Sequence, residues 1–184
     1  MQAHTLDGHL GRPVEIDLCP ACHVFWFDQR ESLQLAPGGT LRLFQVIGAE
    51  ATAPRQTLSP VTKCPRCHSQ LVPTHDIQRN VAFQYRRCPH GHGRLTTYFD
   101  FLREKSFIRP LSAEQLQDLR KNVQSVNCSN CGAPIDLATA STCAHCGSPL
   151  SMLDLKQAGD LVAQLQKADA SGHTIDPALP LRLE

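Results

Sequence analysis

The chain has 184 residues and a mass of 20.3 kDa, room for one ordinary domain or several very small ones. Its 18 Lys and Arg stand against 17 Asp and Glu, a net charge of +1, which excludes coating of nucleic acid or an anionic membrane through bulk charge alone. Aromatic residues make up only 5% of the chain, no apolar run approaches the roughly 18 residues that span a bilayer, and the first residues lack the apolar stretch of a signal peptide.

The cysteines organise the rest. Of nine, eight fall in C-x-x-C pairs: Cys19/Cys22, Cys64/Cys67, Cys128/Cys131 and Cys143/Cys146, with Cys88 standing alone. A secreted disulfide framework has scattered spacings and an even count. Thiols two residues apart, beside Pro or Gly, instead point two thiolates at one tetrahedral ion, the arrangement of a zinc knuckle. The pattern predicts structural zinc in a reducing cytoplasm. The expected fold is a set of small metal-stabilised β-rich domains, tandem zinc ribbons joined by short α-helices. The divisions expected are a partial ribbon with a short helix and strand at 1–47, a linker at 48–62, a second ribbon at 63–110, a connecting helix at 111–126, a third ribbon at 127–150, a C-terminal helix at 151–170 and a tail at 171–184.

In chain order, Val14–Leu18 reads as a strand leading into Cys19-Pro-Ala-Cys22-His23, but no cysteine precedes it to complete a site. Upstream, His4 and His9 read as solvated. Three explanations stand for the unmatched pair: Met1 is an internal start and native sequence before it supplies the missing ligands, two chains share one ion through Cys19 and Cys22, or the hairpin holds an empty half-site. Ala36-Pro-Gly-Gly39 reads as a breaker, Leu41–Ile47 as a strand and Gly48–Pro60 as a linker. The middle module opens at Cys64-Pro-Arg-Cys67-His68 and resumes at Cys88-Pro-His90-Gly-His92. Gly91 occupies the place of the second cysteine there, so the fourth ligand is His92 or His90. The C-x3-H spacing of His92 lets its imidazole fold back over the knuckle, and His92 is preferred. Val81, Phe83 and Tyr85 alternate with polar residues or Ala as a half-buried strand, with Arg94–Phe99 as its returning partner.

Leu102–Arg109 reads as a short helix. Ser112 with Gln115 forms a capping box for the next one, whose apolar stripe is Leu116, Leu119, Val123 and Val126. Cys128, Cys131, Cys143 and Cys146 make a closed all-cysteine site, with a short hairpin expected over Ala133–Thr142 and His145 excluded because four thiolates fill the tetrahedron. Asp154–Ala168 reads as a final amphipathic helix, weakened at Gly159 by about 1 kcal/mol relative to Ala.

Val14–Leu35, with Cys19-Pro-Ala-Cys22 followed by Trp26, Asp28, Glu31 and Leu33, resembles the second half of a transcription factor IIB-type zinc ribbon, and Cys64–Phe107 looks like a diverged member of the same fold. The resemblance implies a zinc ribbon. It departs from the family pattern at His23-Val24, where a Gly is usual, and in lacking the first C-x-x-C.

Positive charge concentrates on the middle: residues 1–62 carry −2, 63–125 carry +6 and 126–184 carry −3. Arg66, Arg79, Arg86, Arg87 and Arg94, interleaved with aromatics, are the candidate contacts for a partner. The function expected is a non-catalytic zinc-binding protein that docks another protein as an adaptor or accessory subunit. The alternative is a transcription-related protein binding single-stranded nucleic acid through that module, and a thiol-redox protein ranks below both. No catalytic zinc motif is present, so no enzyme is expected; two zinc sites are, and a third at Cys19/Cys22 only with ligands from elsewhere.

Overall fold

A computed structural model describes residues 1–50, 56–59, 61–78 and 81–170. The chain is β-rich. Strand β1 (Gln2–Asp7) pairs with β2 (Pro13–Cys19), which turns through the first knuckle into β3 (Val24–Asp28). Strands β4 (Val72–Gln78), β5 (Val81–Arg87) and β6 (Gly93–Thr97) follow. All six form one antiparallel sheet in the order β1-β2-β3-β6-β5-β4.

The join lies between β3 and β6, where Trp26 stands opposite Leu95 and Asp28 opposite Gly93. Residues 1–47 and 63–110, expected as separate modules, therefore share a single sheet. The cause is local to β3. Val24, Phe25, Trp26 and Phe27 are buried in succession, so both faces of this strand must be covered. Phe25 and Phe27 pack with Leu6, Val14, Ile16 and Leu18 beneath the helices. Trp26 points to the other face, against Cys64, Leu71 and Cys88. Burying three such rings contributes roughly 5–9 kcal/mol, comparable to the net stability of a small domain.

The helical face is closed by α1 (Glu31–Gln34) and α2 (Pro37–Glu50). The latter replaces the strand expected at Leu41–Ile47. Ala36-Pro37 begins a helix: the Ala36 carbonyl accepts from the Thr40 N–H at 3.0 Å, and Pro37 occupies the first turn, where its missing N–H costs nothing. Leu43 and Ile47, four apart, turn into the core. Gly39 lets this helix press against β1, since a Cβ there would lie 2.2 Å from the Asp7 carbonyl oxygen. The helix runs to Glu50, through the start of the expected linker; residues 51–55 and 60 of that linker lie outside the described residues.

The returning strand stops at Thr97, whose hydroxyl accepts from the Asp100 N–H and caps α3 (Tyr98–Glu104). The helix expected at Leu102–Arg109 is thus displaced toward the N-terminus. Tyr98 and Phe101 drive that shift, because a helix starting at Tyr98 buries both in the core above β3. Ile108–Pro110 becomes β7, paired with β10 (Ser151–Leu153). Helix α4 (Ala113–Asn122) carries the expected capping box at Ser112 and Gln115. It ends before Val123, and Val126 lies instead in β8 (Ser125–Asn127), paired with β9 (Pro134–Asp136). The hairpin of the last module therefore spans its first knuckle and not the interval Ala133–Thr142 between the knuckles. Helix α5 (Leu155–Ala170) packs in cis against α2. The tail at 171–184 lies outside the described residues, and among those described no helix is long and apolar enough to cross a membrane.

The close approach at Gly39 gives a contrast within one helix. Gly39→Ala is expected to destabilise the fold by about 1–3 kcal/mol, the usual range for overpacking. Gly48→Ala, where an added Cβ meets nothing within 4 Å, is expected to be neutral or stabilising by up to about 1 kcal/mol. Urea unfolding of the two variants checks the helix assignment, since in a strand the difference would have no reason to arise.

Candidate metal centres

Two groups of side chains converge as metal-ligand sets. Cys64, Cys67, Cys88 and His92 form the first, and Cys128, Cys131, Cys143 and Cys146 the second; within each, the ligand atoms all lie within 4.8 Å of one another. Both are built from the same local device. After Cys64 the chain turns so that the His68 N–H reaches the Cys64 carbonyl at 2.9 Å and the Arg66 N–H reaches the Cys64 sulfur at 3.4 Å. The knuckle at Cys128 repeats this, with the Gly132 N–H on the Cys128 carbonyl at 2.9 Å and the Asn130 N–H on the Cys128 sulfur at 3.4 Å. The turns close in left-handed backbone, φ 58° at His68, 77° at Gly91, 78° at Gly132 and 72° at Gly147.

The spacings fit a tetrahedral ion. Metal–sulfur bonds of about 2.3 Å set sulfurs about 3.8 Å apart, and a nitrogen ligand at about 2.0–2.1 Å stands about 3.6 Å from each sulfur. Cys67 and Cys88 sulfurs are 3.6 Å apart, as are Cys128 and Cys146, and Cys131 and Cys143. His92 Nδ1 lies 3.5 Å from Cys88 Sγ and 3.8 Å from Cys64 Sγ. His92, not His90, is the histidine that joins this group. His68, His90 and His145 are exposed and stand outside both sets.

The thiols within each group differ in how readily they ionise. Ser69, through its hydroxyl and backbone, pulls the Cys67 thiol down to about 6. The Cys128 thiol, with help from Ser148, pulls Cys146 down to about 4. Burial pushes Cys64 up and Cys131 up to about 11, and Cys128 rises because its neighbour Cys146 takes the negative charge. A bound divalent ion would favour the thiolate form of every sulfur that held it.

The remaining sequence candidates are placed differently. Cys19 ends β2 and Cys22 lies in the following turn, both half-buried and neither in a disulfide; they belong to neither ligand set. His4 stands opposite Ile16, and His9 lies at the far end of the β1–β2 hairpin, so neither approaches the knuckle. The arginines are largely engaged within the fold. Arg66 pairs with the Asp28 carboxylate, which also accepts from the Trp26 indole at 2.7 Å. Arg86 Nη1 donates to the Ser59 carbonyl and the Thr62 hydroxyl, each at 3.0 Å. Arg94 lies over Tyr85 at 5.0 Å and Phe27 at 5.6 Å and pairs with Glu104 at 3.4 Å. Arg87 is exposed, and Arg79 lies outside the described residues. Phe83, Tyr98, Phe99, Phe101 and Phe107 are buried, forming core and not a stacking platform.

Sequence reading missed the pair that docks the two centres. Asn130, between the ligands Cys128 and Cys131, donates through Nδ2 to Asp100 Oδ2 at 3.0 Å and to Ser148 Oγ at 2.7 Å. Gln84 of β5 adds hydrogen bonds to the Cys146 carbonyl and the Ser148 hydroxyl. A cleft of about 380 Å³ remains beside this contact, lined by His75, Tyr85, Arg86 and His145 among others. The only sequence signal was an acid set between two phenylalanines, Phe99-Asp100-Phe101. No family model, no curated protein and no solved structure matches the chain.

Burial pushes the Asp100 carboxyl up to about 6, against the hydrogen bonds from Thr97 and Asn130. Because the folded value lies above that of the unfolded chain, the stability this group contributes is complete below about pH 4 and is lost as the pH rises through 6. Asp100→Asn removes the charge. Relative to the parent, the variant is expected to gain about 1–2 kcal/mol between pH 5 and pH 7.5, measured by urea unfolding of the metal-loaded protein at each pH.

Proposed function

We propose that the chain is a zinc protein whose two ions are structural, and that it acts as a non-catalytic adaptor docking another protein. The observation that carries the reading is that each cluster is a closed set of four ligands at tetrahedral spacing. Such a set leaves no position for substrate or an activated water, whereas catalytic zinc keeps one open. Cysteine-rich ligands with a divalent ion select zinc among the common metals, and a reducing cytoplasm suits a chain with nine unbridged thiols. Zinc here supplies cross-links to modules too small to build a sufficient core.

Docking of a protein is favoured over docking of nucleic acid by what remains on the surface. Arg94 is half-buried on Glu104 and two rings, and Arg66 and Arg86 each have partners within the chain, which offsets part of the charge a phosphate backbone would need. Apolar side chains are presented instead. Met152, Leu153 and Leu155, on β10 and the start of α5, are 38%, 54% and 79% exposed. The edge strand β4 adds Val72 and Ile77, with its outer backbone unpaired within the sheet; such an edge accepts an added strand from a partner.

Elemental analysis of the purified chain is expected to give zinc firmly held at both closed centres. Cys131→Ser should lose the ion of the four-cysteine centre and leave the fluorescence of the single tryptophan, Trp26, unchanged. Cys67→Ser should lose the other ion and shift that emission, because Trp26 packs on Cys64 and Cys88. Retention of both ions in either variant would overturn the assignment. In a salt series with single-stranded RNA and DNA, the adaptor reading predicts no tight, steeply salt-dependent binding.

A further inference from the structure

The cleft of about 380 Å³ lies between the sheet and the second centre. Across β4, β5 and β6, Pro73 stands opposite Arg86, His75 opposite Gln84, and Arg86 opposite Leu95. Residues directly opposite share one face of a sheet, so these side chains make one wall. Asn130 and His145, from the two knuckles of the second centre, belong to the other. The volume falls among those of small-ligand sites, roughly 300–1,000 Å³.

The lining changes with depth. His75 and His145 are exposed, at the mouth, whereas Asp100 and Asn130 are each 2% exposed, at the inner end. Asn130 spends its amide hydrogens on Asp100 Oδ2 and Ser148 Oγ, and Asp100 Oδ2 also accepts from the Thr97 hydroxyl at 2.9 Å. The Oδ1 oxygens of both residues are buried and have no hydrogen-bond partner among the described residues. Buried polar atoms are nearly always paired, with protein, water or a ligand. The Gln84 backbone N–H lies near enough to Asp100 to favour its charged form, yet none of the ion pairs among the described residues includes this carboxylate. Arg86 is held by Ser59 and Thr62 instead. The inner end thus offers two acceptors and a negative charge, and Leu58, Pro73 and Leu95 offer apolar surface beside them.

We propose that this cleft binds a cationic nitrogen group on an apolar stem, an alkylguanidinium or alkylammonium, with its N–H donors on the Oδ1 oxygens of Asp100 and Asn130. A guanidinium presents several donors in one plane, so it serves acceptors on two side chains at once. The same chemistry comes from a free small molecule or from an Arg or Lys side chain of a docked protein. The inference goes beyond the adaptor reading and does not depend on it. It also gives Asp100 a use: an acid kept buried at a cost to stability is the trade-off found at binding sites.

The test is calorimetric titration of the full zinc-loaded chain with n-butylguanidinium, n-butylammonium and the uncharged n-butylurea, with NMR of the Asn130 side-chain amide. One or both cations should bind in the millimolar range or tighter and shift the Asn130 amide signals. Butylurea should bind at least about tenfold more weakly. Asp100→Asn should weaken the cation by at least about tenfold; because this variant is expected to be the more stable protein, its loss of affinity is separable from unfolding by the urea curves. N-acetylarginine amide bound as well as butylguanidinium would support the proposal with a protein side chain as the source, and its exclusion while the small cations bind would support it with a free molecule. Failure of both cations to bind at about 10 mM would overturn the proposal. So would equal affinity for butylurea, unchanged affinity in Asp100→Asn, or binding that leaves the Asn130 amide unmoved. Each of these results is obtained with both ions in place and leaves the zinc reading standing.

Discussion

Burial of β3 on both faces is the constraint from which the rest of the architecture follows. A strand carrying Val24, Phe25, Trp26 and Phe27 in succession cannot present a wet face. Its neighbours β2 and β6 cover its edges, α2 and α3 cover Phe25 and Phe27, and the first metal centre covers Trp26. The candidate metal centre is therefore part of the hydrophobic core. Cys64 and Cys88 are as inaccessible as the rings they touch.

The second centre is held in another way. Its cluster is small, containing Cys128, Cys131, Ile135, Leu137 and Cys143, with Leu119 and Val126 against it. It docks on the sheet through polar groups: Asn130 on Asp100 and Ser148, Gln84 on the Cys146 carbonyl. Buried polar contacts of this kind specify one arrangement because a displaced partner leaves a desolvated group behind. The cost is visible in Asp100, a carboxyl whose burial opposes its charge. The same economy accounts for the arginines. Within the charge gathered on residues 63–125, Arg94 lies over Tyr85 and Phe27 and Arg66 pairs with Asp28 at the surface.

How far each feature could be read depended on the distance over which it is decided. The strands at Val14–Leu18 and Val81–Tyr85 were legible because alternation with period two is a property of the segment itself. The capping box at Ser112 and Gln115 was legible because donors and acceptors three residues apart meet in one turn. Leu41–Ile47 was not. Its Leu, Phe, Val and Ile suit a strand as well as a helix, and the choice fell to the docking of Leu43 and Ile47 on β1 and β2, with Gly39 against the Asp7 backbone. The end of β6 was misplaced for a similar reason, since Tyr98 and Phe101 gain more from a helix over Phe25 than from an extended strand.

The sequence by itself marked the cysteine pairs that come together, because a knuckle is closed by backbone hydrogen bonds within five residues, but it left His90 and His92 both open as the fourth member of the first group. Only the tertiary structure decided that two expected modules are one sheet, that Arg94 lies over Tyr85 and Phe27, and that Asp100 and Asn130 meet. Those outcomes depend on which distant surfaces exclude water from each other, a quantity that no local spacing encodes.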